Sequence, residues 1–479
     1  MLPLTTLLAL LAFAAPVSKL PDSPSVSSAK AAVHPQDEAA KLRADLIQKL
    51  LGLATWCNDK ELFLQRDNVW RSVLALDSEN AGARQGLRYG RDVAGKWKDP
   101  APREVKDRNA AALPEFGTKR SEAVGGYRDA LLALLEKEQA NAEKRAAALD
   151  EVLLVDPDDP VIHGQRGEAR AGEKWVLTET VAGEARRAEL KQWVQKGRAS
   201  VPEAAKVPPT PADLALLPAW KASLNSDGVH LLSQTPDAEA KEWLTLAHAS
   251  CALLEGACGK PMPPAQNFTA YLLVDPAEKD KLLTGLPGQS DAVKKGWKDS
   301  SGFGIPGLSS AVIWDKDMKR RVDCFTRQLI ASQLFQGFHL EARQGWAFEG
   351  LGLYFGSLLT GSRTNWFIAT QPGEPVGLRT KLFSQKTDWY VEAITLLKSP
   401  SAPKLSDVLG KELSGIKIDE MVVAQAFAAY LVEGLPKELP EILTHAGAGE
   451  STVAAIEAVT KRPLAETAKR FERWLGERH

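Results

Sequence analysis

Residues 322–356 read VDCFTRQLIASQLFQGFHLEARQGWAFEGLGLYFG, and the rest of the chain is best read outward from them. The first part has the apolar spacing of a buried helix, on which Arg327 and Ala331, four apart, share one face. Gln328 lies between them, and Ser332 follows Ala331. His339 and Glu341 stand two apart, which puts them on different faces of a helix. Glu349 is surrounded in sequence by Trp346, Phe348, Leu351 and Phe355, a setting that predicts burial. An unpaired buried carboxylate is costly, so Glu349 needs a partner.

The second part, Trp346-Ala347-Phe348-Glu349-Gly350 followed by Tyr354-Phe355, resembles the W-x-x-E-G-x-x-x-Y-F signature of the peptidase MA-like domain of gluzincin metallopeptidases. The resemblance covers residues 225–479, about half of the chain. It implies a zincin-like α+β subdomain followed by a helical carboxyl-terminal subdomain. It also implies an H-E-x-x-H helix, in which two histidines grip zinc and the glutamate activates the metal-bound water. The family pattern places Arg327 at the first histidine, Gln328 at the glutamate, Ala331 at the second histidine and Glu349 at the third ligand. Leu353 stands where the family often has a second acid. A guanidinium stays charged and cannot ligate a cation, and an amide is no general base. The resemblance therefore implies no catalytic residue, no zinc and no other cofactor. Because Arg327 holds a position from which a histidine would reach the same zinc as Glu349, an ion pair between the two is expected to replace the metal charge.

Shorter patterns carry less chemistry. His248, Cys251 and Cys258 fit no common zinc spacing and read as buried apolar positions. Cys251 and Cys258 lie about 10.5 Å apart along a helix axis, too far for a disulfide unless the helix breaks at Gly256. The states of Cys57 and Cys324 stay open. Gly302-x-Gly304-x-x-Gly307 matches a dinucleotide-binding pattern, but a strand comes after it and Pro306 interrupts it, so it reads as a glycine-rich turn. Ser332 has no matching His and Asp pair. The carboxylates of DPDDP lack the spacing and Gly of a calcium loop and suit a turn with a helix cap. Asn267-Phe268-Thr269 is a glycosylation sequon in form. The 13 Trp residues are scattered through helical patterns and read as core.

The organisation around the central stretch is mainly α with an α+β portion. Residues 2–15, an apolar run ending near Ala12-Phe13-Ala14, predict a signal peptide (1–15) and export to a periplasmic or extracellular space. Residues 16–38 read as a linker. Residues 39–195 are helical in pattern and contain a duplication. Val73-Leu74 and Asp77 match Val152-Leu153 and Asp156 at an offset of 79, and Trp97 matches Trp175 at 78. The stretches NVWRSVLALDSENAGARQGLRYG and RAAALDEVLLVDPDDPVIHGQRGEAR resemble tetratricopeptide-type helical hairpins, which bury faces against neighbours and often bind peptides or proteins. Residues 196–218, Pro-rich from 201, predict a second linker. The remaining 219–479 divide into an α+β part (219–340) and a helical part (341–479). Within the former, 228–235, 268–275 and 309–315 are the strand candidates and 237–256 a helix.

The chain has 479 residues with 60 Lys and Arg against 61 Asp and Glu. This balance argues against nucleic acid as a partner, and no segment after the first is apolar enough to cross a membrane. The expected function is that of an exported pseudo-metallopeptidase with a protein- or peptide-binding or scaffolding role. Two other readings stay open: an active metal-dependent hydrolase with relocated ligands, and a helical-repeat adaptor.

Overall fold

The structure is a computed structural model that describes residues 35–479 apart from 218, 263–267, 287, 299, 306–309, 385 and 479. The expected signal peptide, most of the first linker, the sequon residue Asn267 and Gly307 lie outside the described residues. The chain forms two compact units, one ending at Ile162 and one running His163–His479.

In the first unit, α1 (Pro35–Asp59) places Leu46, Leu50, Leu53, Ala54 and Cys57 on one face, the i, i+4, i+7 spacing of a buried stripe. They share a core with Val69 and Val73 of α2 (Phe63–Leu76). After α2 comes the short helix α3 (Ala81–Gly86), then a β-hairpin of β1 (Gly90–Arg91) and β2 (Trp97–Lys98). Helix α4 (Leu113–Lys137) adds Phe116, Val124, Tyr127 and Leu131 to the core. The same succession of elements then recurs along the chain: α5 (Ala142–Val155), α6 (Pro160–Gln165), and a hairpin of β3 (Glu168–Ala171) and β4 (Lys174–Leu177) that belongs to the second unit. Helices α2 and α5, and α3 and α6, stand 79 residues apart at both ends.

The aspartate turns act as the sequence suggested. Asn80 caps α3 by accepting from Ala83 N, and Asp159 accepts from Val161 N and Ile162 N at the start of α6. The chain beyond each turn departs from a tetratricopeptide hairpin. The second helix is only six residues long, and it gives way to a β-hairpin whose tryptophan packs back on that helix. Trp97 lies under Arg84 (4.9 Å) and Arg91 (4.2 Å), while Trp175 stacks on His163 (4.0 Å) beside Arg170 (5.4 Å). The hairpin turns use Gly95 and Gly172, both at positive φ.

In the second unit, α7 (Thr178–Ala199) leads to β5 (Ala205–Lys206) and α8 (Pro211–Leu216). Neither the first boundary at 195 nor the linker at 196–218 matches this arrangement. Leu190 and Val194 of α7 belong to the core of the second unit. Asp213 of α8 forms a capping box with Thr210 and accepts from Tyr271 Oη at 2.9 Å. The prolines there start a helix and border an edge strand, positions that need no backbone N–H donor.

Next come β6 (Ala222–Ser226), β7 (Val229–Ser233), α9 (Asp237–Cys258), β8 (Phe268–Leu273), α10 (Pro276–Gly285), α11 (Asp291–Lys298), β9 (Gly302–Ile305), β10 (Ser310–Trp314) and α12 (Met318–Phe338). The six strands form one mixed sheet in the order β5-β6-β7-β8-β10-β9. The pairs β7–β8 and β8–β10 are parallel and the rest antiparallel. Alternation along β8 sorts the two faces. Phe268, Ala270 and Leu272 join the core with α9 and α12, while Tyr271 and Leu273 join a smaller cluster with Leu282 and Leu283 of α10. Gly302 and Gly304 lie in β9, so the glycine pattern contributes to a strand instead of a turn.

Eight helices complete the unit: α13 (Gly352–Thr360), α14 (Leu378–Leu382), α15 (Trp389–Leu397), α16 (Leu405–Gly410), α17 (Ile418–Gly434), α18 (Leu439–Gly447), α19 (Thr452–Thr460) and α20 (Leu464–Arg478). Helix α17 is buried on nearly every side, with its Glu420 and Glu433 paired to Lys411 and Arg187. A single apolar core joins one face of the sheet to these helices, so the parts 219–340 and 341–479 are not separate bodies.

Helices α7 and α9 cross where Gly197 has no side chain. A Cβ there would stand 2.7 Å from Ala249 Cα and 2.8 Å from His248 O. G197A is therefore expected to lower stability by about 1–3 kcal/mol, because backbone on both sides must move. G126A, on an exposed part of α4 with nothing within 4 Å, should instead gain about 0.5–1 kcal/mol from helix propensity. Urea unfolding of the two variants checks the opposite signs.

Candidate functional site

Helix α12 starts at Asp317, whose carboxylate accepts from Lys319 N, and ends where His339 turns left-handed at φ 56°. Between these ends Asp323 and Arg327 lie one turn apart and face inward, 1% exposed each. Glu349 comes from the next segment, Ala347–Leu351, a single turn of π-helix that runs directly into α13. A π turn inserts one residue into the helical register and re-aims the side chains around it. It is pressed against α17 at Gly350, where a Cβ would stand 2.5 Å from Ala424 O.

Arg327 and Glu349 meet without solvent contact. Arg327 Nη2 donates to Glu349 Oε2 at 2.7 Å, and Nη1 donates to the Glu349 carbonyl at 3.2 Å. The other carboxylate oxygen, Oε1, accepts from Phe367 N. The guanidinium also lies 4.6 Å from the centre of the Phe367 ring. Gly352 makes room for it, since a Cβ at that position would be 2.1 Å from Nη1. Burial pushes the Glu349 carboxyl up, against the opposing pull of the Arg327 charge and the Phe367 and Ile368 N–H groups.

A strap, residues 361–377, closes over this pair. Thr364 Oγ1 donates to Asp323 Oδ2 at 3.0 Å. Trp366 packs on Phe383 and Trp389, and Arg379 donates to both Glu374 and the Ala369 carbonyl. Burial raises the Asp323 carboxyl above its usual range, with Thr364 and the Arg327 charge acting in the other direction. Among the described residues, Asp323 Oδ1 and Arg327 Nε have no hydrogen-bond partner.

The remaining positions singled out in the sequence are dispersed. Gln328 is half-buried and lies beside β9, its Oε1 3.3 Å from where a Gly304 Cβ would be. Ser332 is half-buried, as is Ala331, and Ser332 Oγ accepts from Gln336 Nε2 at 3.3 Å. Leu353 is fully buried. His339 is the exposed left-handed cap of α12, and Glu341 comes after it outside any helix, exposed and 3.5 Å from Arg343. Their separation thus comes from the end of the helix and not from opposite helix faces. His248 Nε2 lies 3.1 Å from Ser226 Oγ, and Cys251 Sγ accepts from Gln333 Nε2 at 2.9 Å. Helix α9 runs unbroken through Gly256. All four cysteines are free thiols, and burial pushes Cys57 up to about 11 and Cys251, Cys258 and Cys324 up to about 12. Among the described residues, no three His, Cys, Asp or Glu side chains are grouped so as to hold a metal ion.

The chemistry this geometry permits is narrow. Both Glu349 oxygens already accept hydrogen bonds, so the carboxylate has no oxygen directed at a reacting atom. Arg327 supplies a fixed positive charge that can neither coordinate a cation nor take up a proton. Sequence reasoning missed Asp323, Gly352, Thr364 and Phe367. Only Asp323 had a signal, its position one helical turn before Arg327. No family model matches the chain, and no curated protein matches it.

Breaking the buried pair from one side leaves a charge without a counterpart. R327M and E349L are each expected to cost about 3–5 kcal/mol, and the double variant less than their sum. Urea unfolding of the full cycle measures this coupling, and additive costs would show that the two charges act independently.

Acid acts elsewhere in the unit. Burial lowers the pKa of both His230 and His248, with Asp213 and Asp227 respectively opposing it. The unfolded chain then takes up protons near pH 6.5 before the folded chain does. Stability should be complete above that pH and fall as pH drops through it towards the folded values. Replacing both histidines with Gln should flatten the unfolding free energy between about pH 7 and 5.5.

Proposed function

We propose that this chain is an exported pseudo-metallopeptidase, a peptidase MA-like protein in which a guanidinium has taken the place of zinc. The observation that carries the reading is the solvent-free pair of Arg327 and Glu349. These are the positions where the resemblance puts a first histidine ligand and a third, acidic ligand. Further support comes from the order of elements: parallel strands β8 and β10, then α12, then a buried glutamate on the following helix, then a helical tail. The charge on Arg327 performs the electrostatic task of the metal, which is to make burial of Glu349 tolerable, and none of its chemical tasks. Arg327, Gln328 and Ala331 supply neither metal ligands nor a general base, so the reading is that the domain works by binding a protein or peptide or by scaffolding. The helical repeats before it serve the same end.

Metal analysis of the purified protein and an assay on denatured casein test this reading. The expected result is no zinc above background and no cleavage. One tightly held zinc per chain, or metal-dependent cleavage, overturns it. A constructive test is the R327H/Q328E/A331H variant, which restores the family motif opposite Glu349. It should bind zinc in a one-to-one ratio, whereas a variant that folds yet ignores zinc would mean that these positions never formed a metal site.

A further inference from the structure

A hollow of about 510 Å³ opens between α7, α13, the strap and the start of α15, away from the Arg327–Glu349 pair. At its base is Glu433 of α17, with no exposed surface. Arg187 donates to both Glu433 oxygens, at 3.1 and 2.9 Å, and Tyr354 Oη donates to one at 2.8 Å. Arg478 Nη1 is also 2.9 Å from the same carboxylate. Two guanidinium groups on one carboxylate leave the base with an excess positive charge.

The rim adds more. Lys191, Arg363 and Lys386 line the same hollow, and none has a carboxylate partner among the described residues. The other acid there, Asp388, caps α15 by accepting from Tyr390 N and Val391 N. Five cationic side chains thus face two carboxylates, an excess of three charges by count. Repulsion among like charges in so small a space is unfavourable unless an anion joins them.

Arg478 shapes the floor of the hollow. Its side chain is 8% exposed and it lines the hollow. Among the described residues its Nε has no hydrogen-bond partner, and Nη1 lies 2.9 Å from Glu433 Oε2. The group is fixed in place, 4.2 Å from the Tyr390 ring and 4.9 Å from Trp474. Held by these rings and shared with Arg187 on one carboxylate, this guanidinium fixes positive charge at the floor of the hollow.

We propose that this hollow binds a small, multiply charged anion, of the phosphate-ester or polycarboxylate class. Its volume suits a small molecule, and the mixture of forked arginines and point-charge lysines suits oxyanions. This site is independent of the pseudo-metallopeptidase reading and would survive its failure.

Isothermal titration at fixed ionic strength with inorganic pyrophosphate, and separately with citrate, tests it. Saturable one-site binding of either anion is expected, weakened by about tenfold or more in the K191A/R363A variant. Those two residues reach the rim and are not fully buried, so circular dichroism should show an unchanged fold. Preference for pyrophosphate assigns the phosphate class and preference for citrate the polycarboxylate class. No heat beyond a chloride control from either anion, or equal binding by the variant, overturns the proposal.

Discussion

Two opposite charges without solvent set the terms for the middle of this molecule. Removing a guanidinium and a carboxylate from water is expensive, and only close mutual contact with further hydrogen bonds offsets it. The surroundings of Arg327 and Glu349 supply both conditions. The π turn aims Glu349 across at α12, and Gly352 leaves the volume the guanidinium needs. The strap donates Phe367 N to the second carboxylate oxygen and lays its ring by the cation. Asp323, raised in pKa by burial, adds an acidic neighbour one turn away. Each of these features is explained by the charge pair, and none is needed for a purely apolar contact.

The same pair explains why the strap is ordered over α12. A segment of some seventeen residues with no helix until Leu378 loses much conformational freedom when it docks. It is compensated by contacts at separate points: Thr364 on Asp323, Phe367 on the pair, Trp366 against Phe383 and Trp389, and Arg379 on Glu374. In a protein that captured substrate at Glu349 this place would have to be open. Here backbone and aromatic rings fill it, and a sizeable hollow with uncommitted charge lies on the other side of α13.

The duplicated element shows how one local pattern serves two settings. In both copies a capped short helix and a β-hairpin clasp a tryptophan between cationic or imidazole groups. In the second copy the hairpin is also tied to α20, where Arg473 pairs with Glu168 and Glu477 accepts from Leu177 N. The first copy has Tyr89 at the place of Glu168 and a hairpin largely exposed to solvent. The shared clasp is local, whereas the ties depend on residues some three hundred positions away.

The sequence by itself determined what repeats at short range. The apolar spacing gave the long helices. The aspartate turns gave the caps at Asn80 and Asp159, and short runs of β-prone residues gave strands β7, β8 and β10. Tertiary structure decided the rest, because the deciding partners are far apart in the chain. The hairpins after α3 and α6 are too short to show a period, and the prolines at 201–218 border strand and helix as readily as a linker. The strap contacts, the room at Gly352 and the convergence of Arg187, Arg363 and Arg478 around one hollow are products of packing. No periodicity encodes them, since each depends on which surfaces the core brings together.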